Sequence, residues 1–145
     1  MKTVSPMHRA FKSVLIAIAL LSSSALARET DYSLELAGSL PLGGSVSARV
    51  NSALALVDDF KVDLRAGLDW RGDRLGGHFD SLFTVDNAPL RPFAGGGLGW
   101  YGSQFEITLN AGLSFAITPT WEATLEGMWG SAQGTVVKLG VAFGF

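Results

Sequence analysis

The chain contains no cysteine, and only 17% of its residues are charged. Without cysteine, the protein has no disulfide framework, thiolate metal site, catalytic thiol or acylated cysteine. Its 145 residues allow one domain at most. The scarcity of charge accompanies a positive mean hydropathy of +0.30. Because that hydropathy would be unusual for a soluble domain, we expect much of this chain to contact an apolar environment.

Long apolar runs are also missing. The apolar run at residues 14–21 is much shorter than the ~20 residues that a membrane helix needs. It follows three basic residues and precedes an A-x-A motif that ends at Ala27. This order of basic, apolar and small residues predicts a secretory signal peptide over residues 1–27, with cleavage after Ala27.

The predicted mature domain, residues 28–145, has 118 residues, of which thirteen are acidic and eight basic, a formal charge of −5. Nucleic-acid binding depends on clustered Lys and Arg, so this balance excludes nucleic acid as an expected partner. The mature domain also lacks an apolar run of membrane-helix length. If it lies in a membrane, we expect it to cross with strands.

Residues 59–70 show the dominant pattern, in which apolar side chains alternate with polar or small ones. This two-residue period is typical of a strand with two different faces. Short Gly, Pro, Asn and Asp turns separate such segments and predict antiparallel hairpins. In the fifth segment, the Gly95–Gly97 run indicates a bulge, a close backbone approach or a weak strand. The eight segments are 31–40, 45–56, 59–70, 77–85, 91–101, 104–117, 121–130 and 135–145.

The number and spacing of these segments predict how the sheet closes. A meander has two unpaired edges, and closing it into a barrel removes both. About 15 residues per strand and turn suit strands of ~9–11 residues that cross a bilayer at a tilt. We therefore predict an all-β domain: an eight-stranded, antiparallel, up-and-down transmembrane β-barrel.

Side-chain size indicates which face points outward. The interior of an eight-stranded barrel is only just wide enough for side chains. Small residues inside and large ones outside therefore fit a membrane barrel, whereas a soluble ligand-binding barrel would have its apolar face inside. The small residues on the polar face are Ser45, Ser47, Ala53, Gly67, Gly112, Gly140, Ala142 and Gly144.

Aromatic residues fall near the predicted strand ends. If the first strand begins in the periplasm, the periplasmic rim carries Tyr32, Phe60, Phe115, Trp121, Phe143 and Phe145. The outer rim then carries Trp70, Phe79, Trp100, Tyr101, Phe105 and Trp129. Two aromatic girdles are typical of outer-membrane barrels. The alternative explanation is that aromatics begin and end strands because they are good strand formers.

Three stretches carry a family resemblance: PFAGGGLGWYG (92–102), AGLSFAITPTWEATLEGMW (111–129) and VKLGVAFGF (137–145). They resemble the small OmpA-like, opacity-type family of outer-membrane barrels. The resemblance implies the outer membrane of a Gram-negative-type bacterium, with phospholipid and lipopolysaccharide as its surroundings. It also implies that the terminal aromatic, Phe145, is read by the barrel-assembly machinery. Members of that family often have long surface loops, whereas the outer loops here are minimal.

The inward face collects charges of both signs. Because an isolated buried charge is costly, we expect these residues to form an ion-paired plug. The alternative is a thin, cation-leaning pore, since the acidic residues outnumber the basic ones. The predicted lumen network is Glu35, Arg49, Lys61, Asp63, Arg65, Asp69, Asp80, Glu106, Glu122, Glu126 and Lys138.

Catalytic residues are harder to find. An outer-membrane lipid hydrolase would need a nucleophile beside a base that a third group orients. His78 and Asp80 share a side of their strand, but Ser81 points to the other, so the set is incomplete and His78 is expected at the rim near an outer turn. No metal, phosphate or dinucleotide motif is present, so no cofactor is predicted. We predict a non-enzymatic envelope component, with a small-solute pore as the alternative. The sequence predicts no particular oligomeric state. A lipid hydrolase and a soluble periplasmic barrel have less support.

Overall fold

The computed structural model describes residues 31–57, 59–85 and 89–145. The predicted signal peptide and its cleavage after Ala27 lie outside the described residues. Within the described residues, no helix is long and apolar enough to cross a membrane.

The described residues form eight β-strands that close into one antiparallel barrel. Each strand pairs with its neighbours in sequence, and β8 returns to pair with β1 through contacts such as Leu36 with Val141. The predicted eight-stranded up-and-down barrel is therefore confirmed. The strands are β1 (Tyr32–Leu40), β2 (Gly43–Val57), β3 (Phe60–Arg71), β4 (Arg74–Val85), β5 (Leu90–Tyr101), β6 (Gln104–Ala116), β7 (Trp121–Gly130) and β8 (Gly134–Gly144).

The turn between β3 and β4 is shorter than predicted. Arg71 pairs with Arg74, so only Gly72 and Asp73 lie between the strands. Gly72 has a φ of 58°, a left-handed conformation that glycine adopts at little steric cost. The strand β4 therefore begins at Arg74 rather than at residue 77.

The fifth strand is regular. The pairing of β5 with β6 runs without interruption from Leu90 to Tyr101. A Cβ added at Gly97 would lie 2.8 Å from the Asp80 Cα and would collide with the Phe79 carbonyl oxygen. The glycine run thus marks a close approach of the β5 and β4 backbones, one of the three interpretations that its sequence allowed.

The irregular strand is β2 instead. Its register against β3 shifts between Val50 and Leu54, and Ser52 within that stretch has a φ of 54°. The Asp63 carboxylate accepts a hydrogen bond from the Ser52 backbone N–H at 2.7 Å. Ala53 was predicted to point inward, but it lies in this irregular stretch and is exposed.

The two faces have the predicted orientation. Inward residues such as Asp63 and Glu106 are only 5% and 3% exposed. Outward residues such as Leu109 and Val141 are 56% and 43% exposed. The barrel therefore has a polar interior and an apolar outer wall, the reverse of a soluble barrel.

The sequence predicted an interior of small and polar residues, but the interior also contains large apolar side chains. Four large apolar side chains point into it and are almost fully buried: Leu82, Phe93, Met128 and Val136. The Phe93 ring fills space that Gly112 leaves, since a Cβ at Gly112 would lie 2.5 Å from the Phe93 Cζ. Glycines on one strand thus make room for bulky side chains from the next.

Candidate functional site

Arg65 occupies the middle of the lumen, between two carboxylates. Its Nη2 lies 2.9 Å from Asp80 Oδ2, and Nη1 and Nη2 each lie 2.6 Å from a Glu126 oxygen. Asp80 is the neighbour of Arg65 across the β3–β4 pair, whereas Glu126 comes from β7 on the other side of the barrel. All three side chains are nearly inaccessible to solvent. These three residues, the central cluster, connect opposite walls by bidentate, charge-assisted hydrogen bonds.

A chain of polar side chains extends the central cluster toward the C-terminal end of β3. His78 Nδ1 lies 2.6 Å from Asp69 Oδ2, and His78 Nε2 lies 3.4 Å from Asp80 Oδ2. Lys138 Nζ lies 2.5 Å from Asp69 Oδ1. Thr108 donates a 2.7 Å hydrogen bond to Asp80. The prediction that His78 lies at the rim is wrong, because it is only 4% exposed and its Nδ1 contacts Asp69 inside the barrel.

A second group of charges lies toward the other end of the lumen. Arg49 contacts Glu35 at 3.3 Å and Asp63 at 3.8 Å. Thr124 donates to Glu35 at 3.1 Å, and Thr84 donates to Asp63 at 2.9 Å. The Thr124 hydroxyl donates to the Glu35 oxygen that Arg49 does not contact. On Asp63, Thr84 and Arg49 share Oδ2, and the other oxygen accepts from the Ser52 N–H. Buried carboxylates require such partners.

The remaining predicted network residues lie nearer the mouths of the barrel. Glu106 is buried and accepts hydrogen bonds from the side chain and backbone of Gln133. Glu122 is 20% exposed and pairs with Arg91 at the other mouth. Lys61 is half-buried. The structure thus places nine of the predicted residues in the buried lumen and two, Lys61 and Glu122, at partly exposed positions.

Several polar residues of this interior were missed by the sequence analysis. Thr84, Thr108 and Thr124 each donate a hydrogen bond to a carboxylate. At the two mouths of the lumen, Gln133 contacts Glu106 and Arg91 contacts Glu122. The threonines share strand parity with Asp80, Glu106 and Glu126 respectively, so the alternation contained a signal for them. No comparable signal marks Gln133, which lies in a turn.

The structure also brings a serine to His78. Ser47, Gly67 and His78 are neighbours in one row across β2, β3 and β4. A Cβ at Gly67 would lie 2.8 Å from both the Ser47 Cβ and the His78 Nε2, so the serine and the imidazole flank the space above the glycine. Among the described residues, His78 Nε2 has no hydrogen-bond partner, so the serine is not bonded to it. With Asp69 on the other ring nitrogen, the three residue types resemble a hydrolase set. However, all three are buried on the inward face, behind the wall that carries the apolar surface.

Metal binding has no candidate in the part of the chain that the structure describes. No group of three or more His, Asp or Glu residues there is arranged to hold an ion.

Most predicted girdle residues lie on the outer wall at strand ends. At the rim where odd strands begin, Trp121 packs against Phe143 with ring centroids 5.0 Å apart. Tyr32, Phe60 and Phe115 are exposed at the same rim, and Trp70, Trp100, Phe105 and Trp129 are exposed at the opposite rim. Phe145 follows the last residue of β8.

Two aromatic predictions need correction. Phe79 is exposed on the outer wall, but it lies in the middle of β4 rather than at the rim. Tyr101 has the opposite parity to the outward Trp100, so it lies at the mouth of the lumen. There its ring centroid is 4.8 Å from the guanidinium carbon of Arg71 and 5.9 Å from that of Arg74.

No family model and no curated protein matches the chain. Several solved structures have a similar fold. A de novo designed transmembrane β-barrel has a TM-score of 0.60 at 14% identity, covering 83% of this chain and 98% of the design. A second design, solved by NMR, has a TM-score of 0.58 at 13% identity, covering 80% and 94%. The N-terminal β-barrel domain of Pseudomonas aeruginosa OprF has a TM-score of 0.53 at 21% identity, covering 81% and 100%. At these identities the likeness shows the fold alone.

Proposed function

We propose that this protein is an integral outer-membrane β-barrel of a Gram-negative-type bacterium and a non-enzymatic component of the envelope. In this proposal, the ion-paired side chains inside the barrel block the lumen. The observation that carries the proposal is the reversed polarity of the barrel, with charged residues inside and large apolar residues on the outer wall.

The outer wall supports a lipid environment because every strand contributes exposed apolar side chains to it. Burying apolar surface contributes about 25 cal/mol per Å², so a wall of this kind in water would be unfavourable. Contiguous apolar patches of this extent mark membrane or protein contact. One exposed example from each strand in order is Leu36, Leu54, Leu68, Phe83, Leu98, Leu109, Leu125 and Leu139.

Membrane fractionation combined with gel migration tests the membrane assignment. We expect the protein in the outer-membrane fraction, and we expect unheated samples in detergent to migrate differently from boiled ones, because folded barrels resist cold detergent. Recovery in the soluble fraction without detergent would instead establish a soluble periplasmic barrel.

The lumen supports a closed state, because the central cluster joins opposite walls of the barrel through Arg65. Breaking a buried ion pair of this kind costs roughly 3–5 kcal/mol. We therefore expect these side chains to keep their contacts and the lumen to stay closed. In planar bilayers we expect the refolded protein to be silent.

A small cation-leaning pore is the second candidate, and one observation favours it. Among the described residues, the side-chain nitrogen and oxygen of Asn110 and the hydroxyl of Ser114 are buried on the inward face of β6 and have no hydrogen-bond partner. Buried polar groups usually have hydrogen-bond partners, often water molecules. The Asn110 and Ser114 side chains therefore favour a hydrated strip along the β6 wall. Steady cation-selective openings in the bilayer experiment would support this candidate and contradict the closed lumen.

The proposal includes the barrel-assembly machinery as a transient partner that reads Phe145. Removing Phe145 should lower the amount of barrel assembled in cells while leaving refolding in detergent unchanged. The matched control is Phe60→Ala, which removes another rim aromatic. Equal losses for the two variants would show that Phe145 acts only as one more lipid-facing ring.

A further inference from the structure

Two arginines lie side by side at one mouth of the lumen. Arg71 ends β3 and Arg74 begins β4, and the two residues pair directly across the turn that joins these strands. Both have inward parity, since Arg71 alternates with Arg65 and Arg74 with Asp80 along their strands. Directly opposed side chains lie on the same face of a sheet, and like charges in this arrangement repel each other. The hairpin therefore concentrates positive charge at this mouth.

An aromatic ring and a glycine position these arginines. The guanidinium carbon of Arg71 lies 4.8 Å from the Tyr101 ring centroid, and that of Arg74 lies 5.9 Å from it. Arg71 also lies over Gly43, where an added Cβ would collide with its Cγ, and it donates to the Gln133 side chain. Cation–π contacts hold a guanidinium in place, but they supply no counter-ion.

No carboxylate pairs with either arginine in the described ranges. Asp73, in the turn between them, lies outside ion-pair distance of both Arg71 and Arg74. The other described arginines each contact a carboxylate, namely Arg49, Arg65 and Arg91. The two arginines at this mouth therefore differ from the rest in having no counter-ion among the residues that the structure describes.

The other carboxylates near this mouth have partners of their own. Asp69 contacts Lys138 at 2.5 Å and His78 at 2.6 Å. Glu106 accepts hydrogen bonds from the backbone and the side chain of Gln133. Because these contacts already engage both carboxylates, neither is available to neutralise the arginine pair.

We propose that Arg71 and Arg74, held against Tyr101, form an anion site that binds a phosphate group at this mouth. Their planar donors match phosphate oxygens, and the bound anion relieves the repulsion between the two guanidinium groups. Because both side chains have inward parity, the phosphate lies at the entrance of the lumen rather than on the apolar outer wall. This inference goes beyond the proposed function and requires the lumen to be neither closed nor conducting.

Side-chain NMR of the folded protein in detergent micelles, with isotope-labelled arginines, tests the site. Inorganic phosphate replaces chloride at constant ionic strength in one sample, and a second sample receives phosphatidic acid in the micelle instead. We expect the Nε–H signals of Arg71 and Arg74 to shift and to saturate. Saturable shifts with inorganic phosphate would assign a soluble phosphate as the ligand. Saturable shifts with phosphatidic acid alone would assign a lipid headgroup.

Substitutions at the exposed arginine separate a phosphate site from simple charge attraction. Arg74→Gln should weaken phosphate binding roughly tenfold, because one charge-assisted contact is lost. Arg74→Lys should be intermediate, because it keeps the charge without the planar donors. The matched control is Arg91→Gln, which removes an arginine that has a carboxylate partner at the opposite mouth. That control should bind phosphate as the wild type does.

Two results would overturn the inference. One is the absence of saturable shifts in both samples, because Arg71 and Arg74 would then be ordinary solvated charges. The other is unchanged phosphate affinity in Arg74→Gln. Heat-modifiable migration of each variant reports the folded barrel, so either result would leave the proposed membrane location intact.

Discussion

At the scale of single residues, Arg65 shows how charge is tolerated inside this barrel. Its guanidinium satisfies two carboxylates from opposite walls, and Asp80 has a further donor in Thr108. Each charge of the central cluster therefore has an opposite charge and hydrogen bonds at contact distance, the condition under which burial is tolerated. The same arrangement makes the cluster sensitive, because removing one member leaves others unpaired.

Arg65→Ala should lower the free energy of unfolding by roughly 3–5 kcal/mol, because it leaves Asp80 and Glu126 buried without their counter-ion. Urea unfolding of the protein in lipid vesicles, followed by tryptophan fluorescence, measures this change. Arg65→Lys should be intermediate, because it keeps the charge but loses the bidentate geometry. Arg74→Ala, at the exposed end of β4, should change the free energy by no more than about 0.5 kcal/mol. A loss for Arg65→Ala as small as that for Arg74→Ala would contradict this account of the cluster.

The sequence could predict that Arg65 and Glu126 point inward, because parity along a strand is a local property. It could not predict that they contact each other, since this needs the closure and the stagger of the whole barrel. His78 was misplaced for a related reason. Its distance from the predicted turn depended on where β4 begins, and that strand starts earlier than its sequence indicated.

At the scale of strands, β5 depends on glycine for its spacing from β4. Gly97→Ala should destabilise the barrel by roughly 1–3 kcal/mol, because its Cβ would meet the Phe79 carbonyl and force the two backbones apart. The control is Gly127→Ala on β7, where a Cβ would have its nearest neighbour at 3.9 Å. That variant should stay within about 0.5 kcal/mol of the wild type. Equal stabilities for the two variants would show that β5 can shift without cost.

Strand number and order were predictable, because alternation and turn residues recur along the sequence. The irregularity of β2 was not, since alternating side chains continue through it. A contact between strands accompanies it: the Ser52 N–H donates to Asp63 on the neighbouring strand. A polar contact between strands has no signature in the sequence of either strand alone.

At the scale of the whole molecule, the polarity of the barrel predicts its position in a bilayer. The absence of cysteine allows single spin labels to report this directly. A label at Leu139→Cys, on the middle of β8, should collide with oxygen and not with a water-soluble nickel complex. A label at Leu42→Cys, in the turn after β1, should show the reverse. High nickel accessibility at both positions in lipid vesicles would place the outer wall in water.

Closure of the lumen also depends on the whole molecule, because side chains from opposite walls meet inside it. If the central cluster seals the barrel, then removing both long side chains by Arg65→Ala with Glu126→Ala should turn a silent barrel into a conducting one. The double variant avoids leaving Glu126 unpaired, and Asp80 keeps its contacts with Thr108 and His78. Planar-bilayer recordings, made on protein whose folding is verified by heat-modifiable migration, measure the change. A conducting wild type would favour the hydrated strip beside Asn110, because ions would then pass without disturbing the cluster. A silent but folded double variant would assign the seal to the apolar side chains Leu82 and Phe93 instead, since these also fill the cross-section of the lumen.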